Sequence, residues 1–183
     1  LKLQQPQSKG PAICLDQPWE GPKAFYTTIL NDGGVYKMYY RSNAPGSPIC
    51  YAESNDGATW VKPKLNLIDI DGSSSNNAIL SGSPDHTFCP FLDTNKHSDH
   101  KQKFKANISV RQPTNLGLKC LESSDGIHWN EIPDISFIPP TLENHFDSQN
   151  VMFWSEIEKQ YVLFSRHMEE GRRATAKSYS KDF

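Results

Sequence analysis

The chain has no long apolar run, no block of one charge and no stretch of helical periodicity. None of its apolar segments is long enough to span a bilayer. Its 19 Lys and Arg nearly balance 21 Asp and Glu, for a net charge of −2. The cations are scattered (Lys101, Lys103, Lys105, Arg172, Arg173), so no basic face is offered to a phosphate backbone. Neither a nucleic acid nor a membrane is therefore expected as a partner. The 4 cysteines, Cys14, Cys50, Cys89 and Cys120, form no CxxC pair and are too sparse for a disulfide scaffold. They read as buried thiols with room for one disulfide. No spaced His/Asp cluster is present either, so neither a metal nor a cofactor is expected. What remains, with 36% apolar and 11% aromatic residues, is enough to fill a core, and the missing helical period makes that core all-β.

What the chain does contain is a repeated corner. Ser54-Asn55-Asp56-Gly57-Ala58-Thr59-Trp60 returns as Ser123-Ser124-Asp125-Gly126-Ile127-His128-Trp129, and a worn copy stands at Ser180-Lys181-Asp182-Phe183. Asp-Gly makes a tight turn, because Gly tolerates positive φ and the Asp carboxylate accepts hydrogen bonds from N–H groups just ahead. Asp56 and Asp125 thus read as turn residues, and Trp60 and Trp129 as apolar plugs. Self-similarity at a period above about 50 residues favours an array of sheets over one core.

Each unit is a set of short strands. In the first, Ala24–Leu30, Val35–Arg41 and Ile49–Glu53 are strands, separated by Asn31-Asp32-Gly33-Gly34 and a Pro/Gly/Ser loop, with a short fourth strand expected near Trp60. The second unit uses Thr87–Asp93, Lys103–Val110 and Leu116–Leu121; the third uses Asn150–Trp154, Tyr161–Arg166 and Arg173–Tyr179. Four antiparallel strands are the content of one propeller blade. We therefore expect an N-terminal arm over residues 1–17 and blades over about 18–68, 80–138 and 145–183. Propellers close with about four to eight blades, so the missing ones are expected from a longer polypeptide or from self-association.

Tyr36–Arg41, Tyr51–Trp60, Phe91-Leu92-Asp93, Phe146-Asp147-Ser148-Gln149-Asn150 and Phe153-Trp154 together resemble the five-bladed β-propeller glycoside hydrolases, the invertase-, arabinanase- and xylosidase-like group, and in particular its less characterised bacterial members. The Asp-Gly corners also resemble the Asp-box of sialidases, one residue shorter. The invertase pattern Asn-Asp-Pro-Asn-Gly is absent, as are Arg-Asp-Pro and Glu-Cys-Pro, which argues against fructan hydrolysis. By analogy, the resemblance implies a periplasmic or secreted protein acting on carbohydrate, with carboxylates near the starts of the innermost strands and in some relatives a calcium ion on the axis.

Glycosidases need an acid to protonate the leaving oxygen and a second carboxylate as nucleophile or base. Aligning Phe91 with Phe153 sets Asp85 opposite Asp147, and Glu20 precedes the first unit's strand. Glu20, Asp85 and Asp147 are the expected catalytic acids; Asp85 and Asp147 also have a plain reading as turn residues. Trp19 is a candidate sugar platform, equally a packing residue. His86, His145, Gln149, Asn150 and Arg166 are candidate substrate contacts, while Arg41 and Arg166 at matching positions suggest a repeated salt bridge between blades. Asn107-Ile108-Ser109 is a formal glycosylation sequon within a strand. Two functions fit: a glycoside hydrolase, inactive if these residues are only a fragment of one, and a carbohydrate-binding propeller without turnover.

Overall fold

The computed structural model describes residues 3–81, 87–111, 116–133 and 146–183. Apart from one 3-10 turn at His100–Gln102, the regular structure among them is three antiparallel sheets in chain order. The first holds β1 (Ala24–Asp32), β2 (Val35–Ser42), β3 (Ile49–Ser54) and β4 (Ala78–Leu80). The second holds β5 (Phe88–Leu92), β6 (Phe104–Arg111), β7 (Leu116–Ser123) and β8 (Asn130–Glu131). The third holds β9 (Val151–Ser155), β10 (Gln160–Glu169) and β11 (Arg172–Ser180). Every strand pairs with its sequence neighbour, the up-and-down order of propeller blades.

Because side chains alternate across a strand, each sheet has two faces, and consecutive sheets meet face to face. Tyr39, Ile49 and Tyr51 of the first sheet pack on Phe88, Ala106, Ile108 and Leu121 of the second. Phe91 and Leu118 of the second pack on Met152, Tyr161 and Leu163 of the third. The remaining face of the first sheet (Met38, Tyr40, Cys50, Ala52) is covered by Ile13 and Leu15 from the N-terminal arm and by Trp19 and Trp60. On the other face of the third sheet Val151, Phe153, Phe164 and Tyr179 are exposed, with the Phe153 and Phe164 rings stacked at 6.3 Å. All four cysteines are free thiols, and three of them are buried.

One strand departs from the expected position. After the first Asp-Gly corner, Val61 makes a single bridge to Glu53, with both N–H···O bonds at 2.9 Å, and the chain then leaves the sheet. Pro63 follows at once and has no N–H to continue a ladder. The segment returns as β4 against Ile49 and Cys50, having packed Leu65 and Leu67 on the inter-sheet core.

The two corners are built alike. Ser54 Oγ accepts from Gly57 N at 2.9 Å, and Asp56 Oδ1 accepts from Ala58 N and Thr59 N at 2.8 and 2.7 Å. Ser123 Oγ accepts from Gly126 N at 2.9 Å, and Asp125 Oδ1 accepts from Ile127 N and His128 N, both at 2.8 Å. The N–H groups of Thr59 and Ala58, with the Ser54 hydroxyl, hold the Asp56 carboxyl well below the usual carboxylate range. Burial works against ionisation of Asp125, but the His128 side chain and the N–H groups of His128 and Ile127 outweigh it and hold Asp125 low as well. A depressed folded-state pKa contributes stability above the unfolded value of about 3.9 and loses it as pH falls through the folded value. We therefore expect the melting temperature to drop steeply below about pH 4, and the drop to be shallower in Asp125→Asn. Melting curves between pH 7 and pH 2 check this; parallel curves for the two proteins would contradict it.

Their surroundings differ. Trp129 lies between the first two sheets, with its ring 5.1 Å from Phe88 and 6.4 Å from Tyr39, whereas Trp60 lies on the face under the arm. A Cβ on Gly126 (φ +77°) would meet Tyr39 Oη at 2.5 Å, while one on Gly57 (φ +72°) finds nothing nearer than the Tyr36 ring at 3.7 Å. Gly57→Ala is thus expected to carry only the left-handed backbone cost, about 1–2 kcal/mol. Gly126→Ala must in addition displace a Tyr39 ring that is 1% exposed, so its denaturation midpoint should fall clearly further. Equal midpoints would show that the second corner does not lean on the neighbouring sheet.

Candidate functional site

The first strands of the three sheets, β1, β5 and β9, lie side by side, β5 touching both of the others. The chain enters β9 through Phe146–Asn150. This corner is strained: Phe146 and Ser148 take φ of 60° and 71°, a region in which each non-glycine residue costs about 1–3 kcal/mol. It is held by an amide. Asn150 is 0% exposed, and its Nδ2 donates to Phe146 O at 2.9 Å and Ser148 O at 3.1 Å. From the second sheet, Asn107 Nδ2 on β6 donates to Asn150 O at 2.9 Å.

Asp147 stands between the two strained residues. Its Oδ1 accepts from Ser148 N at 2.7 Å and its Oδ2 is ion-paired with Arg166 Nη1 on β10. The Asp147 side chain keeps 48% of its surface exposed, against 13% for Arg166. Beside it, Gln149 Nε2 donates to Thr28 Oγ1 on β1 at 3.0 Å and contacts Cys89 Sγ on β5 at 3.6 Å, so one side chain ties all three sheets together where their first strands meet. Burial pushes the Cys89 thiol up, which suits a packing role better than a nucleophilic one.

Glu20 sits differently. It is 0% exposed; Oε1 accepts from Tyr40 Oη at 2.5 Å, and Oε2 accepts from Gln17 N at 3.0 Å and Lys62 Nζ at 2.7 Å. Tyr40 Oη also accepts from Asn77 Nδ2 at 3.0 Å, and Asn77 Oδ1 takes the Trp19 indole N–H at 2.7 Å. Trp19 and Glu20 therefore belong to one polar knot under the arm. The hydrogen bonds described for Glu20 and Asp147 have no partner in common.

No family model matches the sequence. An uncharacterized protein of Mycobacterium tuberculosis (strain H37Rv) is 35% identical over 77 residues, covering 37% of this chain and 25% of its own length. Among solved structures, a β-1,2-mannobiose phosphorylase from Listeria innocua matches with a TM-score of 0.64 at 11% identity, over 94% of this chain and 44% of its own. A thermostable family-43 glycoside hydrolase matches at 0.60 and 13% identity, over 90% and 52%. A fructofuranosidase from Schwanniomyces occidentalis matches at 0.56 and 14% identity, over 85% and 31%. The fold is that of the glycosidase and phosphorylase propellers. At such identities the likeness speaks of the fold alone, and the chain spans about half or less of the solved propellers' length.

Within this propeller fold, the structure brings Asp147, Gln149, Asn150 and Arg166 together where the first strands meet, and gathers Trp19 and Glu20 elsewhere. Asp85, His86 and His145 lie outside the described residues. The structure bears on three expectations. Asn150, expected to contact sugar, is buried, and its amide holds the corner instead. Trp19 is half-buried and packs with Tyr40 and Cys50, in keeping with the packing role it was given beside that of a platform. Arg166 pairs with Asp147 inside the third blade and not with a neighbouring one, and Arg41 lies over the Phe25 and Tyr26 rings at 4.9 and 5.1 Å. Asn107 had been visible only as a sequon. At 0% exposure it is closed to glycosylation, and it stands in a buried polar row with Lys105 and Ser109 that alternates with the apolar residues of β6.

Proposed function

We propose that this chain is part of a glycoside hydrolase-like propeller that acts on glycosidic bonds through carboxylates at the centre of the blades, Asp147 being one of them. One observation carries the reading: a half-exposed carboxylate is held on a strained, amide-pinned corner where the first strands of three blades meet, and strain of this kind gathers at working sites. Arg166 steadies Asp147 and Gln149 lines the same region; Asp85 is the proposed second acid, with His86 next to it in the sequence and His145 two positions before Asp147. Further blades pack on the exposed face of Val151, Phe153, Phe164 and Tyr179, which matches the faces already buried between the first three.

The experiment is a panel of 4-nitrophenyl glycosides, run with and without inorganic phosphate so that hydrolysis and phosphorolysis are told apart by the need for phosphate. Release of nitrophenol by the wild-type protein supports the reading. Glycan binding in a calorimeter with no release on any substrate supports the second one, a carbohydrate-binding propeller. What favours that alternative is Glu20, which is closed to solvent and bonded by Tyr40, Gln17 and Lys62.

A further inference from the structure

We infer that Asn107 and Asn150 are positioning residues, a two-amide brace that reaches across the interface between the second and third blades and sets the Asp147 carboxylate against Arg166. The inference rests on reading Asp147 as a reacting group. Asn150 spends both N–H bonds of its amide on the carbonyls of Phe146 and Ser148, the residues on either side of Asp147. Those are the two that hold positive φ. With its flanks tied to one side chain, Asp147 has little backbone freedom left, and the direction of its carboxylate follows. Asn107 then ties the Asn150 carbonyl to β6, so the corner is registered against the neighbouring blade rather than against its own strand alone.

The other half of each amide makes the case stronger. Asn107 Oδ1 and Asn150 Oδ1 are both buried, and neither has a hydrogen-bond donor. Turning either amide over would not help, since it would set an oxygen against the carbonyls that the NH2 groups now serve. Two fully buried amides with an unfilled acceptor each are a poor device for stability, because an unsatisfied buried acceptor costs what its hydration was worth. What the pair supplies is donors at fixed places, and all of the donated bonds end on the backbone that carries Asp147.

The test uses a readout at the ion pair itself. In 15N-labelled protein the Arg166 guanidinium signals, assigned by their absence in Arg166→Lys, are expected to be resolved and to collapse toward solvent-averaged positions in Asp147→Asn. Asn107→Ala and Asn150→Ala are expected to cause the same collapse while the β-sheet circular dichroism persists. Ser109→Ala removes a buried hydroxyl on the same strand, bonded to Thr87 at 2.8 Å, and is expected to lower the melting temperature without moving those signals. On whichever 4-nitrophenyl glycoside the wild type cleaves, Asn107→Ala should lower kcat by about tenfold to a hundredfold with KM changed far less, as misplacement of a reacting group does. Unchanged Arg166 signals in the asparagine variants overturn the inference. So does failure of both Asn107→Ala and the milder Asn107→Ser to fold, which would mark a purely structural role. If the wild type cleaves nothing, the proposed function fails while the guanidinium signals still decide whether the brace exists.

Discussion

Asp147→Asn is expected to lower turnover of a cleaved aryl glycoside by about 10²–10⁴-fold, the range in which a positioned acid or base contributes. Asn keeps the shape and one oxygen, so the bond from Ser148 N survives while the charge facing Arg166 is lost. The substitution should leave stability close to that of the wild type: the carboxylate is about half exposed, and an ion pair of that kind contributes only about 0–1 kcal/mol. The combination is diagnostic. A structural turn residue would show the reverse, a changed melting temperature with unchanged kcat. A nucleophile and a proton-transfer group are separated by the aryl leaving group: substrates with very good leaving groups need no acid, so activity on 2,4-dinitrophenyl glycosides would be spared if Asp147 supplied the proton. Turnover within about twofold of wild type on every substrate would remove Asp147 from the chemistry.

Lys62→Met is expected to be among the most destabilising single changes, at about 3–5 kcal/mol, because it strands a buried carboxylate. Lys62 Nζ lies 2.7 Å from Glu20 Oε2 and 2.9 Å from Asp16 Oδ1, with the lysine side chain 16% exposed and Glu20 closed to solvent. Desolvation works against the charged amine, but its bonds to Glu20 and Asp16 outweigh it and raise the Lys62 pKa. The sign follows: the pair contributes fully below the unfolded lysine value of about 10.4 and fades as pH climbs through the folded value. Against a total stability of about 5–15 kcal/mol the loss is large. Urea midpoints measure it, with Glu20→Gln/Lys62→Met as the companion. The double variant removes the stranded charge and should recover much of the loss, as buried ion pairs replaced by neutral groups do. A drop below about 1 kcal/mol in the single variant would mean that the arm opens and hydrates Glu20.

Much of the fold was legible because it depends on short-range rules. The Asp-Gly corners at Asp56 and Asp125 close on their own hydroxyl and N–H neighbours, and apart from the fourth strand of the first unit the expected strands lie within a few residues of the alternation that marks them. Legibility failed where distant residues compete for a position. Trp60 and Trp129 follow the same motif, yet one closes the inter-blade core and the other lies beneath the arm, a difference made by Phe88 and Tyr39 in one case and by Ile13 and Leu15 in the other. Glu20 could be placed before its strand but not buried, because Lys62 and Tyr40 come to it from later strands and loops.

The sequence alone determined the strand content, the three-fold repetition, the corners and the presence of Asp147 at the mouth of a strand, since each follows from a residue and its near neighbours. The tertiary structure alone decided which carboxylate stays open and which is sealed, and which amides hold the corner, because exposure and hydrogen bonding across sheets arise only when faces far apart in the chain are pressed together.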